Sequence, residues 1–126
     1  MSKYNNKQVK TPDGAIHDSR KEAVRWMQLR ALEREGKITR LQRQVTFVLL
    51  PTQREQTTEV YKRGEKKGQL KEGKVLEHSV SYVADFVYID ADGNKVVEDT
   101  KGFRTKDYVI KRKLMLYVHK IRIKEV

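Results

Sequence analysis

Apolar residues recur along this chain with two different periods, and each change of period marks an element. Ala23, Trp26, Met27, Leu29 and Leu32 follow one broad stripe at helical spacing, with Trp26 expected in the core. Ser19, with Glu22 three residues on, reads as a capping box at the helix start, and Gly36 stands where the helix stops. Ile38 and Leu41 anchor the exit segment. Residues 44–50, QVTFVLL, predict a strand that Pro51 ends. The run YVADFVYI from Tyr82, the turn Asp90-Ala91-Asp92-Gly93-Asn94 and the return VVEDTK to Lys101 predict an antiparallel hairpin. A second helix is expected from about Lys106 to Val118, with Tyr108, Val109, Leu114, Met115, Leu116 and Tyr117 supplying its apolar surface. Residues 120–124 alternate and predict a half-buried final strand, with His119 at the surface before it. The order helix, strand, hairpin, helix, strand predicts an α/β sandwich with a mixed sheet.

Residues 53–78 break the pattern. They hold three glycines and a dense mixture of Lys and Glu, with little to bury. This segment is expected to be a solvated excursion, a long hairpin or a partly disordered loop, within a single domain spanning residues 1–126. It is not a domain boundary, because neither side is large enough to fold alone.

The hairpin carries the candidate chemistry. Asp85 interrupts an apolar strand, a position from which aspartate is normally excluded. Side chains alternate along a strand, so Asp99 and Lys101 share one face and Glu98 and Thr100 the other. A turn centred near Asp92 places Asp85 almost opposite Asp99. Two carboxylates and an ammonium would then converge, a site for a hard divalent cation and a water. A buried, unpaired aspartate costs several kcal/mol, and an ion pair with Lys101 would also satisfy Asp85. Glu22 can serve as the reciprocal cap of Ser19, and a carboxylate in a first helical turn can also reach a metal. The DADGN turn is not a calcium loop. Counting from Asp90, Lys95 falls where the invariant glycine belongs and Lys101 where the bidentate Glu should be.

Charge narrows the partners. The chain has 28 Lys or Arg against 17 Asp or Glu, a net +11, which calls for a polyanionic partner. From Arg104 onward, eight Lys or Arg face only Asp107 and Glu125, net +6. Lys106, Lys111, Arg112 and Lys113 on the second helix are the expected phosphate contacts. There is no cysteine, and His17, His78 and His119 match no zinc spacing. No apolar run is long enough to span a membrane, and MSKYNNKQVK lacks the apolar stretch of a signal peptide, so a cytoplasmic protein with no membrane partner is expected.

Glu22 opening a helix, Asp85 in one strand and Asp99-Thr100-Lys101 in the next resemble the PD-(D/E)XK nuclease superfamily. The flanks DSRKEA, YVADFVY, VVEDTKGF and YVIKRKLM are similar to a family of small phage and prophage predicted nucleases, usually described only as a domain of unknown function. The likeness runs from about Lys3 to Ile123. Two positions depart from the superfamily pattern: Ala84 stands where a proline precedes the first acid, and the second acid is Asp99 rather than the commoner Glu.

The resemblance implies a restriction-endonuclease-like fold and a Mg²⁺- or Mn²⁺-dependent endodeoxyribonuclease of phage or prophage type, acting in the host cytoplasm. It makes Asp85 the central metal ligand. Asp99 and the Thr100 carbonyl would complete the shell of the first ion, and Glu22 would hold a second, directly or through water. Lys101 would orient or help deprotonate the attacking water, and Gln44 would be accessory. DNA, branched substrates included, is the implied partner, and junction cleavage would favour a homodimer. The alternative is a non-catalytic DNA-binding module on the same fold, serving phage DNA packaging or recombination; a third reading is a basic protein-interaction domain with ion-paired carboxylates. The intact set Glu22, Asp85, Asp99 and Lys101 speaks for the nuclease.

Overall fold

The computed structural model describes residues 8–126. Two short strands, β1 (Val9–Lys10) and β2 (Ile16–His17), form a hairpin whose turn is closed by Thr11 N–H donating to the Ala15 carbonyl. Helix α1 (Arg20–Arg34) follows. Ser19 caps it, its Oγ accepting from the Glu22 N–H at 3.1 Å, and Gly36, at φ +77°, turns the chain out.

Strand β3 (Thr39–Leu50) is five residues longer at its start than residues 44–50 predict. Its first half is polar, and Arg40 and Gln44 are both left-handed, at φ 55°. The segment after Pro51 carries β4 (Gln53–Arg54) and β5 (Val75–Glu77), paired antiparallel, with an isolated Val60–Leu70 bridge between them. Most of its residues are exposed.

Strand β6 (Val80–Ile89) and strand β7 (Lys95–Asp99) form the central hairpin. Asp90 Oδ1 accepts from the Asp92 and Asn94 N–H groups, both at 2.9 Å, and Gly93 takes φ +84°. This turn sets the register: Ile89 pairs with Lys95 and Phe86 with Glu98. Helix α2 (Lys106–His119) is capped by Thr105 and ended by Lys120 in the left-handed region. The last strand, β8 (Lys124–Glu125), is shorter and later than residues 120–124 predict and runs parallel to β7.

The main sheet has the order β3-β6-β7-β8, with three antiparallel strands and one parallel, so the chain is a small α/β domain with a mixed sheet and two helices. One face packs on α1 through Trp26, Leu29, Ile38, Phe86 and Tyr88. The other packs on α2 through Phe47, Leu49, Tyr82, Ala84, Val87, Val97, Tyr108, Met115 and Ile123. Fully burying a side chain such as Leu29 or Phe86 contributes about 2 kcal/mol. Met27, placed on the apolar stripe by spacing, is 49% exposed, as are large parts of Leu116 and Tyr117 on α2. Each helix covers a sheet only four strands wide, and the edge of its stripe stays outside.

The two cores meet at one step of the sheet. Residues two apart in a strand share a face. Yet Ala84 packs on the α2 side and Phe86 on the α1 side. On β3, Val45 joins the α2 core and Leu41 the α1 core. The reversal falls at Asp85 and Gln44, between the pairs Arg43–Phe86 and Val45–Ala84. The left-handed backbone of Gln44, which costs a non-glycine residue about 1 kcal/mol, accompanies it.

Candidate active site

Asp85 therefore sits at a fault in the sheet, where neither core claims it. Its carboxylate turns toward the end of β7. Oδ2 accepts from the Thr100 N–H at 2.8 Å and from Thr100 Oγ1 at 2.7 Å. The Phe86–Glu98 pair brings Asp85 beside Asp99, as the turn predicts.

Asp99 is 2% exposed. Oδ1 lies 3.1 Å from Lys101 Nζ, and Oδ2 accepts from the Tyr82 hydroxyl. Lys101 also lies 4.2 Å from the centroid of the Tyr108 ring, a cation–π contact. The Lys101 ammonium pairs with Asp99, so the ion pair that would satisfy Asp85 through Lys101 is replaced by the two Thr100 donors. Burial, followed by the charge of Asp85, pushes Asp99 up to about 6, against the pull of Tyr82 and Lys101. Burial and the bond to Asp99 push the Tyr82 hydroxyl well above its usual range.

Glu22 comes from the first turn of α1 and is 4% exposed. Its backbone N–H completes the Ser19 cap, but its carboxylate faces the sheet: Oε1 accepts from Gln44 Nε2 at 3.2 Å. Burial, then Asp85 and Asp18, push it up to about 7, with Gln44 and Arg43 opposing. Asp85 thus acts on both Glu22 and Asp99, and the three carboxylates form one electrostatic unit drawn from α1, β6 and β7. Asp85 is half-buried while its two neighbours are buried, so the most enclosed carboxylates of the unit are Glu22 and Asp99 rather than Asp85.

Several contributors lie outside the sequence motif. His17 is 1% exposed; its Nδ1 stands 3.5 Å from Glu22 Oε1 without making a hydrogen bond, and its Nε2 is 3.3 Å from Thr11 Oγ1. Burial and Arg43 hold it below its usual value. Behind β7, Glu98 is 0% exposed and takes two bonds of 2.7 Å from Arg25, with the Tyr88 hydroxyl as a third donor. Burial alone would raise Glu98, but Arg25 and Tyr88 outweigh it and hold the carboxyl below its ordinary range. The partners are distant in sequence, Arg25 from Glu98 by 73 residues, so no local spacing signals the Arg25–Glu98 contact, and His17 meets Glu22 only through the fold.

A cleft of about 430 Å³ opens beside this unit, lined by Ser19, Lys21, Thr100, Lys101, Phe103 and Thr105. Lys21 Nζ donates to the Lys101 carbonyl at 3.1 Å across its edge. The expected phosphate contacts on α2 do not form one patch. Lys106 and Lys113 lie on its exposed face with Ile110 and Tyr117, whereas Lys111 is half-buried and Arg112 bonds Glu125 at 3.4 Å. Among the described residues, no three His, Cys, Asp or Glu side chains are already spaced to hold a metal ion. Among them, too, no helix is long and apolar enough to cross a membrane.

Fold and site together define a small, basic α/β domain with a buried carboxylate–lysine cluster at the edge of a cleft. The chain belongs to the family described as "Protein of unknown function (DUF1064)", whose model matches residues 1–125. No curated protein and no solved structure matches it.

Proposed function

We propose that this chain is a metal-dependent DNA endonuclease on a restriction-endonuclease-like fold, of the phage type its sequence resembles. The observation that carries the proposal is the convergence of Glu22, Asp85 and Asp99, with Lys101, from three separate elements. Like charges brought together under burial raise the carboxyl pKa values unless a cation offsets them, and Glu22 and Asp99 are raised to about 7 and about 6. An all-oxygen set suits Mg²⁺ or Mn²⁺. Asp85, Asp99 and the Thr100 carbonyl would hold the ion, once Asp99 exchanges its contact with Lys101, and Glu22 would hold a second, directly or through water. Such an ion, when bound, neutralises phosphate oxygens and acidifies water. Lys101, released from Asp99, would orient or help deprotonate the attacking water and oppose the charge on the phosphate. Gln44 keeps the Glu22 carboxylate turned toward the sheet.

The second reading, a non-catalytic DNA-binding module, gains from the fact that both Asp99 oxygens already have protein partners. Plasmid nicking in Mn²⁺ by wild type, Asp85→Asn and Lys101→Ala separates the two. Each ~1.4 kcal/mol of lost transition-state stabilisation is tenfold in rate, and loss of the ion removes several kcal/mol. Asp85→Asn should therefore nick at least about a thousandfold more slowly while its DNA affinity holds or rises. Lys101→Ala should lose nicking and keep Mn²⁺ binding. Nicking by Asp85→Asn at the wild-type rate would sink the nuclease reading.

A further inference from the structure

We infer that the arm between β4 and β5 is a duplex-binding ribbon, whose basic tip, residues 61–69, enters the major groove of B-form DNA. The inference rests on the chain acting on DNA; it adds a second point of contact, outside the carboxylate cluster, and the form of DNA that this contact takes.

The arm is charged but not shapeless. β4 and β5 pair only with each other, and the ladder continues past them. Glu55 N–H donates to the Lys74 carbonyl at 2.8 Å, Lys71 N–H to the Glu59 carbonyl at 2.8 Å and Tyr61 N–H to the Gln69 carbonyl at 2.9 Å, with the Val60–Leu70 bridge among them. A Cβ on Gly73 would overlap the Glu55 carbonyl oxygen, so the two sides approach as closely as glycine allows. Gly64 and Gly68, at φ +83° and +86°, turn the chain at the tip. The result is a two-stranded ribbon in which every residue from Lys62 to Glu72 is exposed.

A charge-rich hairpin is ordinarily just solvated, but here the charge is sorted along the ribbon. In the stem, cations stand near acids: Arg54 lies 3.7 Å from Glu72 and Lys71 3.9 Å from Glu59. At the tip, Lys62, Arg63, Lys66 and Lys67 stand against Glu65 alone, and Lys62, Arg63 and Lys67 make no described ion pair. The ribbon therefore ends in positive charge, which favours a polyanion as partner. Single strands are held by bases stacked on aromatic rings. Tyr61 is the arm's only Phe, Trp or Tyr, and Lys66 and Lys71 lie 5.8 and 6.0 Å from its ring centroid, so the arm presents cations rather than a stacking face. The B-form major groove, about 12 Å wide and about 8.5 Å deep, admits a two-stranded ribbon between walls of phosphate. The A-form major groove of duplex RNA is too narrow for side chains to read. B-form DNA matches both the shape and the charge of the tip.

The experiment is equilibrium binding of the full chain, in EDTA so that no cleavage occurs, to a labelled DNA duplex, to one of its strands alone, and to an RNA duplex of the same sequence. The triple variant Lys62→Ala, Arg63→Ala, Lys67→Ala should bind the DNA duplex at least about tenfold more weakly at about 0.1 M salt. Its slope of log K against log[salt] should be shallower by up to ~2.7, at ~0.9 per phosphate contact. Binding to the single strand and to the RNA duplex should change by less than about twofold, since neither receives the ribbon. The urea midpoint should stay at the wild-type value, because the three side chains lie at an exposed tip. The charge-keeping variant Lys62→Arg, Arg63→Lys, Lys67→Arg should bind all three as wild type does. Wild-type affinity of the alanine variant for the DNA duplex would overturn the inference, as would equal losses on all three nucleic acids. A charge-keeping variant as weak as the alanine one would overturn it too. Those outcomes leave the nuclease reading standing, whereas failure of the wild type to bind DNA in either form would overturn both.

Discussion

Lys101 Nζ lies 3.1 Å from Asp99 Oδ1, yet Asp99 is pushed up to about 6 rather than down. An ammonium at that distance ordinarily lowers a carboxyl pKa. Here burial and the neighbouring Asp85 outweigh it, even with Tyr82 donating to the other oxygen. Glu22 repeats the behaviour, since Gln44, its one hydrogen-bonding donor among the described residues, does not prevent a rise to about 7. The cluster therefore holds more negative charge than its protein partners can balance near neutral pH.

That imbalance should appear in stability. Glu22 and Asp99 bind protons more tightly folded than unfolded, from ordinary values of 4.5 and 3.8. The contribution is present below those ordinary values and is lost as pH rises to about 7 and about 6. At ~1.4 kcal/mol per unit, the loss is on the order of a few kcal/mol. His17, held low, acts oppositely below its usual 6.5, so the comparison must be made between variants. Asp85→Asn removes the second-largest cause of both rises. In EDTA, Asp85→Asn should be more stable than wild type at about pH 8, with the difference shrinking toward about pH 5. Urea midpoints at the two pH values measure this. A variant less stable than wild type at the higher pH would show that Asp85 does not repel its neighbours.

Arg25 and Glu98 make a second, purely structural prediction. Arg25 bonds both oxygens of a fully buried carboxylate, and Lys124 reaches it only at 4.0 Å. Arg25→Ala leaves that charge without its main partner and should destabilise by about 3 kcal/mol. The double variant Arg25→Met, Glu98→Met should recover most of the loss, since a buried pair replaced by apolar groups is often neutral. Urea unfolding with an unchanged m-value would read both. A single variant as stable as wild type would mean water reaches Glu98.

What could be read from the sequence was what local chemistry dictates. The Asp90–Asn94 turn fixes the hairpin register, so the opposition of Asp85 and Asp99 was legible, as was the Ser19 cap. The early half of β3 was not, because Thr39–Arg43 is polar and owes its strand pairing to β6. Nor was the fault at Gln44 and Asp85, where a strict period of two fails. Glu98, placed by alternation only on the face opposite Asp99, is buried, and a residue of α1, Arg25, supplies its counter-charge. His17 matches no ligand spacing in the sequence and becomes a neighbour of Glu22 only through the β1–β2 hairpin.

The α2 face supplies the last prediction. Side chains seven apart on a helix lie on one face, whereas those two apart do not. Lys106 and Lys113 share the exposed face, Lys111 turns partly inward, and Arg112 is engaged with Glu125 and lies 5.9 Å from the Tyr108 ring. Replacing Arg112 would therefore disturb the packing of α2 and confound any reading of DNA contact. Lys106→Ala with Lys113→Ala removes two exposed cations and no described ion pair. If both contact duplex phosphates, the slope of log K against log[salt] should become shallower by up to ~1.8, at ~0.9 per contact. The urea midpoint should not move, since surface charges away from any network change stability by less than about 0.5 kcal/mol. Lys111→Ala should change the slope by less than either exposed lysine. An unchanged slope in the double variant would move the phosphate path off α2.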